Sequence, residues 1–438
     1  MNSLNPLALE LNETIKNGDE NLFNMMSLFG LRIYFPKGIL SQSAEAKTLA
    51  KKTNATIGIA TEQGKPMYLL SIHKHISDIP PGDSYGYAPA AGKPDLRIAW
   101  KQKMLEDNPS LKGKSLSNPI VTNGLTHGLS IVGDFFADPG DTVVVADKVW
   151  DNYPLIFETR CGTELVMYPL YNDKGGFNTV EFRKTLLNTA KHKNKIITIL
   201  NFPNNPTGYT ITKEEACEIA DAIRETADSG CNVIAVCDDA YFGLFYDENT
   251  IKESIASYIA GIHPRVLTIK IDGASKEEYA WGFRTGFISF ALGNANNDEK
   301  IYAALERKVM GCIRSSISNC ASISQTLVLE ALKSPSHAEE KARKAEILKS
   351  RAAKVKEILK NDKYKDAWDV HPFNSGYFMC LQIKSIDPEE LRLHLLKKYG
   401  VGVIAIGGQD IRVAFSSVEE QNIEDLFDTI YSAVRDLS

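Results

Sequence analysis

Short apolar runs rich in β-branched residues recur between residues 120 and 292, and amphipathic or turn-forming stretches separate most of them. Runs of this length and composition are typical of buried strands. They are TVVVAD (142–147), IITILNFP (196–203), NVIAVCDD (232–239), RVLTIKIDG (265–273) and FISFAL (287–292). Because such strands are apolar on both faces and alternate with helical segments, we predict a mostly parallel sheet covered by helices on both sides.

The segments between these runs carry helix signals. THGLSIVGDFFADPG predicts a helix that ends at a Pro-Gly turn. TKEEACEIADAIRETADSG predicts another, with Thr212 and Glu215 as its capping box. Residues 337 to 362 predict a long helix whose many charged side chains we interpret as a solvated face.

The domain organisation follows from a change of pattern along the 438 residues, a length that suits two or three domains. The C-terminal part mixes two short strands, YFMCLQI and IRVAFS, with helices, which predicts a smaller α+β domain. We therefore expect an α/β protein with a three-layer αβα large domain (76–330) and a small C-terminal domain (331–438). An N-terminal segment (1–75) is expected to pack with the small domain.

Composition excludes some classes of function. Hydrophobic residues make up 43% and charged residues 24%, as in ordinary globular proteins, and the net charge is -5. No basic stripe is present, so we expect no nucleic-acid or membrane partner. Seven dispersed cysteines without CxxC spacing argue for a reducing compartment and against zinc. The same cysteine pattern leads us to expect no metal. The N-terminus resembles an ordinary helix rather than a signal peptide, so a cytoplasmic location is predicted.

Chemistry is concentrated at the predicted carboxyl ends of three strands, where ligands bind in open parallel sheets. NFPNNPTG (201–208) supplies amides, DDAYFG (238–243) a carboxylate and a phenol, and GASKEEYAWGFRTG (273–286) a lysine and an arginine. Upstream, TNGLTHG (122–128) places backbone amides at the start of a helix, a typical anion site.

This set of groups fits pyridoxal phosphate, a ligand with a phosphate, a basic ring nitrogen, a phenolic oxygen and an aldehyde. A lysine amine forms a Schiff base with the aldehyde. A carboxylate keeps the ring nitrogen protonated, so that the ring can take up an electron pair.

The motifs also carry a family resemblance from about residue 80 to the C-terminus. In order they are YAPAAGKPDLR, TNGLTHG, DKVWDNYP, NNPTG, DDAY, SK followed by GFRTGF, and IRVAFS. The chain resembles the class I/II aminotransferases of the fold-type I pyridoxal-phosphate-dependent family. The resemblance implies that fold, pyridoxal 5'-phosphate as cofactor, and a homodimer with the active site at the subunit interface. It also implies ping-pong transfer of an amino group between an L-amino acid and a 2-oxo acid.

The resemblance also implies roles for individual residues. Lys276 matches the Schiff-base lysine and proton-transfer base, Asp238 the acid paired with the pyridine nitrogen, and Tyr241 a partner of the phenolic oxygen. The other residues implied to bind the cofactor are Asn205, Trp150, Gly124, Leu125, Thr126, Ser275, Arg284 and, from the neighbouring subunit, Tyr87. Gly273 departs from the family, since many members have a phosphate-binding hydroxyl there; a water or Ser275 is the expected substitute.

Substrate recognition is implied for Arg412 and Asn205, which match groups that hold the α-carboxylate. Arg314, in CIRSSISN, resembles the arginine that aspartate aminotransferases use for a distal carboxylate. A dicarboxylic substrate is one hypothesis; local pairing of Arg314, with an aromatic or small neutral donor, is the other.

Alternatives to transamination remain at this point. A lyase or decarboxylase of the same fold would use the same anchors, and a regulatory protein that binds pyridoxal phosphate is a third possibility.

Lys270 and Asp239 lie beside the proposed catalytic residues. We interpret Lys270 as a strand residue and Asp239 as a solvated or capping acid.

Overall fold

A computed structural model describes residues 4–36, 38–293 and 298–438, and its central feature is a seven-stranded sheet. Each apolar run identified in the sequence forms one of its strands, and two further strands complete it. The strands are β1 (Ile120–Asn123), β2 (Thr142–Ala146), β3 (Glu164–Tyr168), β4 (Lys195–Asn201), β5 (Asn232–Asp238), β6 (Val266–Gly273) and β7 (Thr285–Leu292).

The strand order is β1-β7-β6-β5-β4-β2-β3. Strands β2 to β6 pair in parallel, whereas β7 runs antiparallel to both β1 and β6. Separate clusters of buried apolar side chains cover the two faces, since alternate residues of the same strands belong to different clusters. The predicted α/β class with a mostly parallel, doubly covered sheet is confirmed.

Helices occupy most of the connections between strands. The predicted capping box is formed by Thr212 and Glu215 at the start of helix Lys213–Asp228, and the predicted long helix spans His337–Ile358. No helix of the described residues is both long and apolar enough to cross a membrane. The α-helices are Pro6–Gly18, Glu20–Met25, Leu28–Arg32, Ile39–Leu49, Leu70–His73, Pro81–Ser84, Pro94–Asp107, Leu125–Phe136, Thr179–Ala190, Lys213–Asp228, Ala256–Ile259, Ala274–Glu277, Asp298–Ser316, Ser322–Lys333, His337–Ile358, Pro388–His394 and Ile423–Leu437. Short 3-10 helices are Pro109–Leu111, Trp281–Phe283, Asp362–Tyr364, Phe415–Ser417 and Glu420–Asn422, and π-helical turns are Pro154–Arg160 and Leu395–Tyr399.

The C-terminal part contains a second, four-stranded antiparallel sheet. Its strands are β8 (Trp368–Val370), β9 (Met379–Ile383), β10 (Ile404–Ile406) and β11 (Asp410–Val413), in the order β8-β9-β11-β10. The face of this small sheet that points away from the large sheet is apolar, and Ile411 and Val413 are fully buried on it. The domain boundaries stay a prediction.

The N-terminal segment contacts this second part of the chain. The two-residue strand Thr53–Asn54 pairs in parallel with Val401–Gly402, and the amide of Ala414 donates to the carbonyl of Ala55 at 2.8 Å. A further two-stranded hairpin pairs Thr61–Glu62 with Lys65–Pro66. The segment thus contacts the residue that directly follows β11.

Candidate active site

The carboxyl ends of β4, β5 and β6 open into one cavity of about 200 Å³. Parallel neighbouring strands bring their carboxyl ends to the same edge, and so their terminal polar side chains meet. The cavity is lined by Leu125, Thr126, Trp150, Asn201, Asn205, Asp238, Ala240, Tyr241, Ser275, Lys276 and Arg284. Most of the residues predicted to bind a cofactor are therefore placed together.

Lys276 lies in the short helix Ala274–Glu277 that follows β6. Its ammonium nitrogen is 4.9 Å from the centre of the Tyr241 ring. Burial lowers the pKa of Lys276, Asp238 opposes this effect and Arg284 adds to it, and the resulting pKa is about 8. A lysine with such a pKa is present in part as the free amine near neutral pH, which is the form that attacks an aldehyde.

Asp238 ends β5, the middle strand of the sheet, and is 2% exposed. The Tyr153 hydroxyl donates to Oδ2 at 2.5 Å, and the amide of Ala240 donates to Oδ1 at 3.2 Å. Burial raises the pKa of Asp238, while these hydrogen bonds and the charge of Lys276 oppose the increase. A cation in the cavity would therefore offset the cost of burying the Asp238 carboxylate in its charged form.

The other end of the cavity is formed by backbone. Gly124, with φ +77°, precedes helix Leu125–Phe136, whose first amides have no side-chain cap. The guanidinium of Arg284 lies against Gly124, where a β-carbon would sit 2.4 Å from it. Free amides at a helix start together with an arginine form an anion site.

Close backbone packing explains why position 273 has no side chain. A β-carbon on Gly273 would lie 2.7 Å from both the α-carbon of Gly286 and the carbonyl oxygen of Thr285. Ser275, by contrast, is 1% exposed, lines the cavity, and its hydroxyl has no hydrogen-bond partner among the described residues. A buried hydroxyl without a partner is costly, so a bound acceptor would complete the site.

Arg412 reaches the edge of this site from β11. Its guanidinium donates to Asn205 Oδ1 at 3.1 Å and to the carbonyl of Thr56 at 3.0 Å, and it lies 4.1 Å from the centre of the Phe378 ring. The Nε group is buried without a partner among the described residues. An arginine with an unused donor beside a cavity is suited to hold a carboxylate.

Two predicted site residues lie elsewhere. Tyr87 is 93% exposed, and Arg314 lies in the last turn of helix Asp298–Ser316, where it donates to the Ser318 hydroxyl at 2.5 Å. Neither lines the cavity formed by the described residues of this chain.

The interpretation of Asp239 as a solvated or capping acid is wrong. Asp239 is 2% exposed, lies 2.9 Å from the ammonium of Lys270 and accepts a hydrogen bond from Ser254 at 2.7 Å. Lys270 also contacts Asp272, so it forms a buried ion cluster on the side of the sheet away from the cavity residues. Asp239 directly follows Asp238, so the two side chains point to opposite sides. The pairing of Asp239 with Lys270 joins distant segments and could not be inferred from the sequence.

Sequence reasoning missed three residues of the site. Tyr153 lies three positions after Trp150 in the same motif, and Asn201 is a polar residue at the end of an apolar strand; both signals were visible. Asn201 donates to the Asp238 carbonyl at 2.9 Å and accepts from the Asn205 amide at 2.8 Å. The contact of Thr56 with Arg412 uses a backbone carbonyl, which carries no sequence signal.

Comparison with known families identifies the architecture. Residues 72–430 match the family model described as "Aminotransferase class I and II". The chain belongs to this aminotransferase family. The resemblance stated from the sequence motifs is thereby confirmed.

Curated relatives match part of their length. A probable N-acetyl-LL-diaminopimelate aminotransferase of Bacillus subtilis is 28% identical over 56% of this chain and 55% of its own. An aspartate aminotransferase of Bacillus sp. strain YM-2 is 29% identical over 59% of each chain. The chain thus spans a little over half the length of these relatives.

Solved structures of aminotransferases share the fold more completely. An aminotransferase from Anaerococcus prevotii superposes with a TM-score of 0.82 at 21% identity, covering 93% of this chain and 98% of its own. The kynurenine aminotransferase of Pyrococcus horikoshii, solved with PMP, gives a TM-score of 0.77 at 18% identity, covering 96% and 99%. At these identities the similarity establishes the fold.

Replacement of Gly273 by alanine is expected to destabilise this protein by about 1–3 kcal/mol, because the added methyl group meets backbone atoms that cannot move aside. Gly282→Ala is the matched control, since a β-carbon there has no neighbour within 4 Å. Urea unfolding of both variants measures the difference. Equal stability of the two variants would show that position 273 has room for a side chain.

The amine of Lys276 is expected to titrate near pH 8 in the cofactor-free protein. Since only the neutral amine reacts, its rate of labelling by acetic anhydride should increase as the pH rises through about 8. The same lysine in the urea-unfolded chain is the control, with an expected midpoint of about 10.4. Quantitative mass spectrometry of the Lys276 peptide gives both curves, and coincident midpoints would contradict the effect of burial.

Proposed function

We propose that the chain is a pyridoxal-phosphate-dependent aminotransferase. The observation that carries the proposal is the placement of Lys276 and Asp238 at the ends of adjacent strands, in one cavity. The lysine is the amine for the cofactor aldehyde, and the acid is the partner for its ring nitrogen. Family membership supports the same activity.

The residues of the cavity fit this cofactor at each of its polar groups. The free amides after Gly124, the Arg284 guanidinium and the unpartnered Ser275 hydroxyl would hold the phosphate. Trp150 would face the ring, and Tyr241 and Asn205 would bind its phenolic oxygen. Gly273 cannot contribute because its position is filled by backbone, so Ser275 is the hydroxyl donor of this chain.

Pyridoxal phosphate supplies an aldehyde that condenses with amines and a ring that takes up an electron pair when protonated. Asp238 would keep the ring nitrogen protonated, and the hydroxyl of Tyr153 orients the Asp238 carboxylate. The free amine of Lys276 would accept the proton that leaves the substrate's α-carbon and would donate it again to complete the proton shift. The centre of the Tyr241 ring lies 4.9 Å from that amine, so the ring would limit where the amine can move.

Arg412 would bind the α-carboxylate of the amino acid and, in the second half-reaction, of the 2-oxo acid. One carboxylate site for both substrates explains why they would react in turn, as a ping-pong mechanism requires. Asn205 shares this task, since it already contacts the guanidinium.

A homodimer would complete the site. Tyr87 is fully available to a second subunit, and large apolar side chains near it in sequence, including Tyr85 and Ile98, are also exposed. Arg314 would reach the partner's cavity and bind a distal carboxylate, which makes aspartate or glutamate the proposed donor.

A cytoplasmic location is part of the proposal.

A lyase or decarboxylase would share these anchors, whereas a regulatory protein would bind the cofactor without turnover. Half-reactions with single amino acids separate these possibilities. A transaminase releases the matching 2-oxo acid and leaves the cofactor as its amine, and a 2-oxo acid then restores the original absorption spectrum.

Lys276→Ala is expected to leave a folded protein that binds pyridoxal phosphate non-covalently and has lost transamination by at least about 10³-fold, because the proton-transfer base is missing. Borohydride reduction should link the cofactor to the wild-type chain and not to the variant. Lys354→Ala, at an exposed pair with Glu357, is the control. Normal turnover by Lys276→Ala would overturn the assignment.

Arg314→Ala tests the substrate class. We expect kcat/KM for aspartate and glutamate to fall by about 10²-fold, since a distal carboxylate loses a charged partner, while alanine changes by less than about threefold. Arg307→Ala, on the same helix, is the control. Equal losses for all donors would assign Arg314 a structural role.

A further inference from the structure

Strand β11 carries two charged side chains on one face. Asp410 and Arg412 point to the same side, whereas Ile411 and Val413 lie in the core on the other. Asp410 is 4% exposed and Arg412 2% exposed. Both contact loops at the carboxyl ends of the large sheet, so the strand meets that sheet at two points.

The Asp410 carboxylate has a donor on each oxygen. Lys148 Nζ donates to Oδ2 at 2.5 Å, and His371 Nε2 lies 2.8 Å from Oδ1. The His371 ring is stacked on Tyr171, with centroids 5.6 Å apart and planes at 13°. Burial acts to raise the pKa of Asp410, but the bonds from His371 and Lys148 outweigh it and lower that pKa. The carboxylate is therefore ionised at neutral pH.

These contacts form part of a closed ring of interactions. The carbonyl of Lys148 accepts from the Asn204 amide group at 3.1 Å. The next residue, Asn205, binds Arg412 at 3.1 Å. Two residues of β11 are thus linked to two adjacent asparagines, one directly and one through Lys148.

This closed ring of interactions matters because Arg412 must keep hydrogen-bond donors free for a substrate carboxylate. Its partners among the described residues are Asn205 and Thr56, each through one nitrogen, and its Nε has none. An arginine that receives a carboxylate cannot be fixed by filling its whole fork with local acceptors. Its position is then set by the backbone of β11, which the buried pair at Asp410 anchors.

We propose that Lys148 and Asp410 are positioning residues that hold Arg412 in register with the cofactor cavity. Lys148 lies two residues before Trp150, so this pair ties the carboxylate-binding strand to a wall of the cavity. His371 orients the shared carboxylate. The inference rests on the proposed function, because it takes Arg412 as the carboxylate-binding residue.

The test uses the holoenzyme with Asp410→Asn, Lys148→Met and the double variant. Each single change should raise KM for the amino acid and the 2-oxo acid about tenfold, because a displaced guanidinium binds both carboxylates poorly. The kcat and the absorption spectrum of the bound cofactor should change by less than about twofold. The double variant should be no worse than either single one, since both remove the same interaction.

A rescue and a binding measurement exclude a merely structural role. Lys148→Arg keeps the ion pair and should return KM to within about twofold of wild type. The inhibition constant of propionate, a carboxylate without an amino group, should rise in parallel with KM. Lys356→Met is the matched control, because Lys356 also pairs with an acid of a distant segment, Asp247, and neither lines the cavity.

The outcomes separate this inference from the proposed function. If Arg412→Ala leaves KM unchanged, the carboxylate site itself is misassigned. If Arg412→Ala raises KM but Asp410→Asn and Lys148→Met do not, only the positioning role is overturned. A KM increase in Lys356→Met equal to that in Lys148→Met would likewise overturn it, since the effect would then be general.

Discussion

The burial of one carboxylate is the constraint on which the site depends. Asp238 lies at the end of the middle strand of the sheet, where water is excluded and an isolated charge is expensive. A hydroxyl and a backbone amide compensate it in part. The remaining imbalance favours a cation in the cavity: Lys276 is one such cation, and the protonated ring nitrogen of the proposed cofactor would be another.

The sheet topology turns this constraint into a reaction site. Parallel pairing of β4, β5 and β6 brings an amide, a carboxylate and a lysine to the same edge, although they are far apart in sequence. The antiparallel β7 lies between β6 and β1, and Arg284, which directly precedes β7, lies against Gly124 at the start of helix Leu125–Phe136. The polar groups that surround the cavity thus come from several elements, all of which belong to or adjoin the seven-stranded sheet.

Backbone packing decides which groups can serve the phosphate end. Gly124, Gly273 and Gly286 let a helix start and two strands approach more closely than side chains would allow. The approach leaves no room for a hydroxyl at position 273 and leaves the Ser275 hydroxyl buried without a partner. The glycine at position 273, where the family motif often has a hydroxyl, is therefore a consequence of close packing. The nearby Ser275 hydroxyl is available as a donor instead.

The sequence alone determined five of the seven strands of the large sheet, the long helix, the capping box and the family, because periodicity and strand-end motifs are local. It also named most cavity residues, since motifs at carboxyl ends of parallel strands must converge. Only the tertiary structure decided the pairing of Asp410 with Lys148, the burial of Asp239 with Lys270, and the contact of Arg412 with the Thr56 carbonyl. These contacts join residues that are distant in sequence, so no local pattern encodes them.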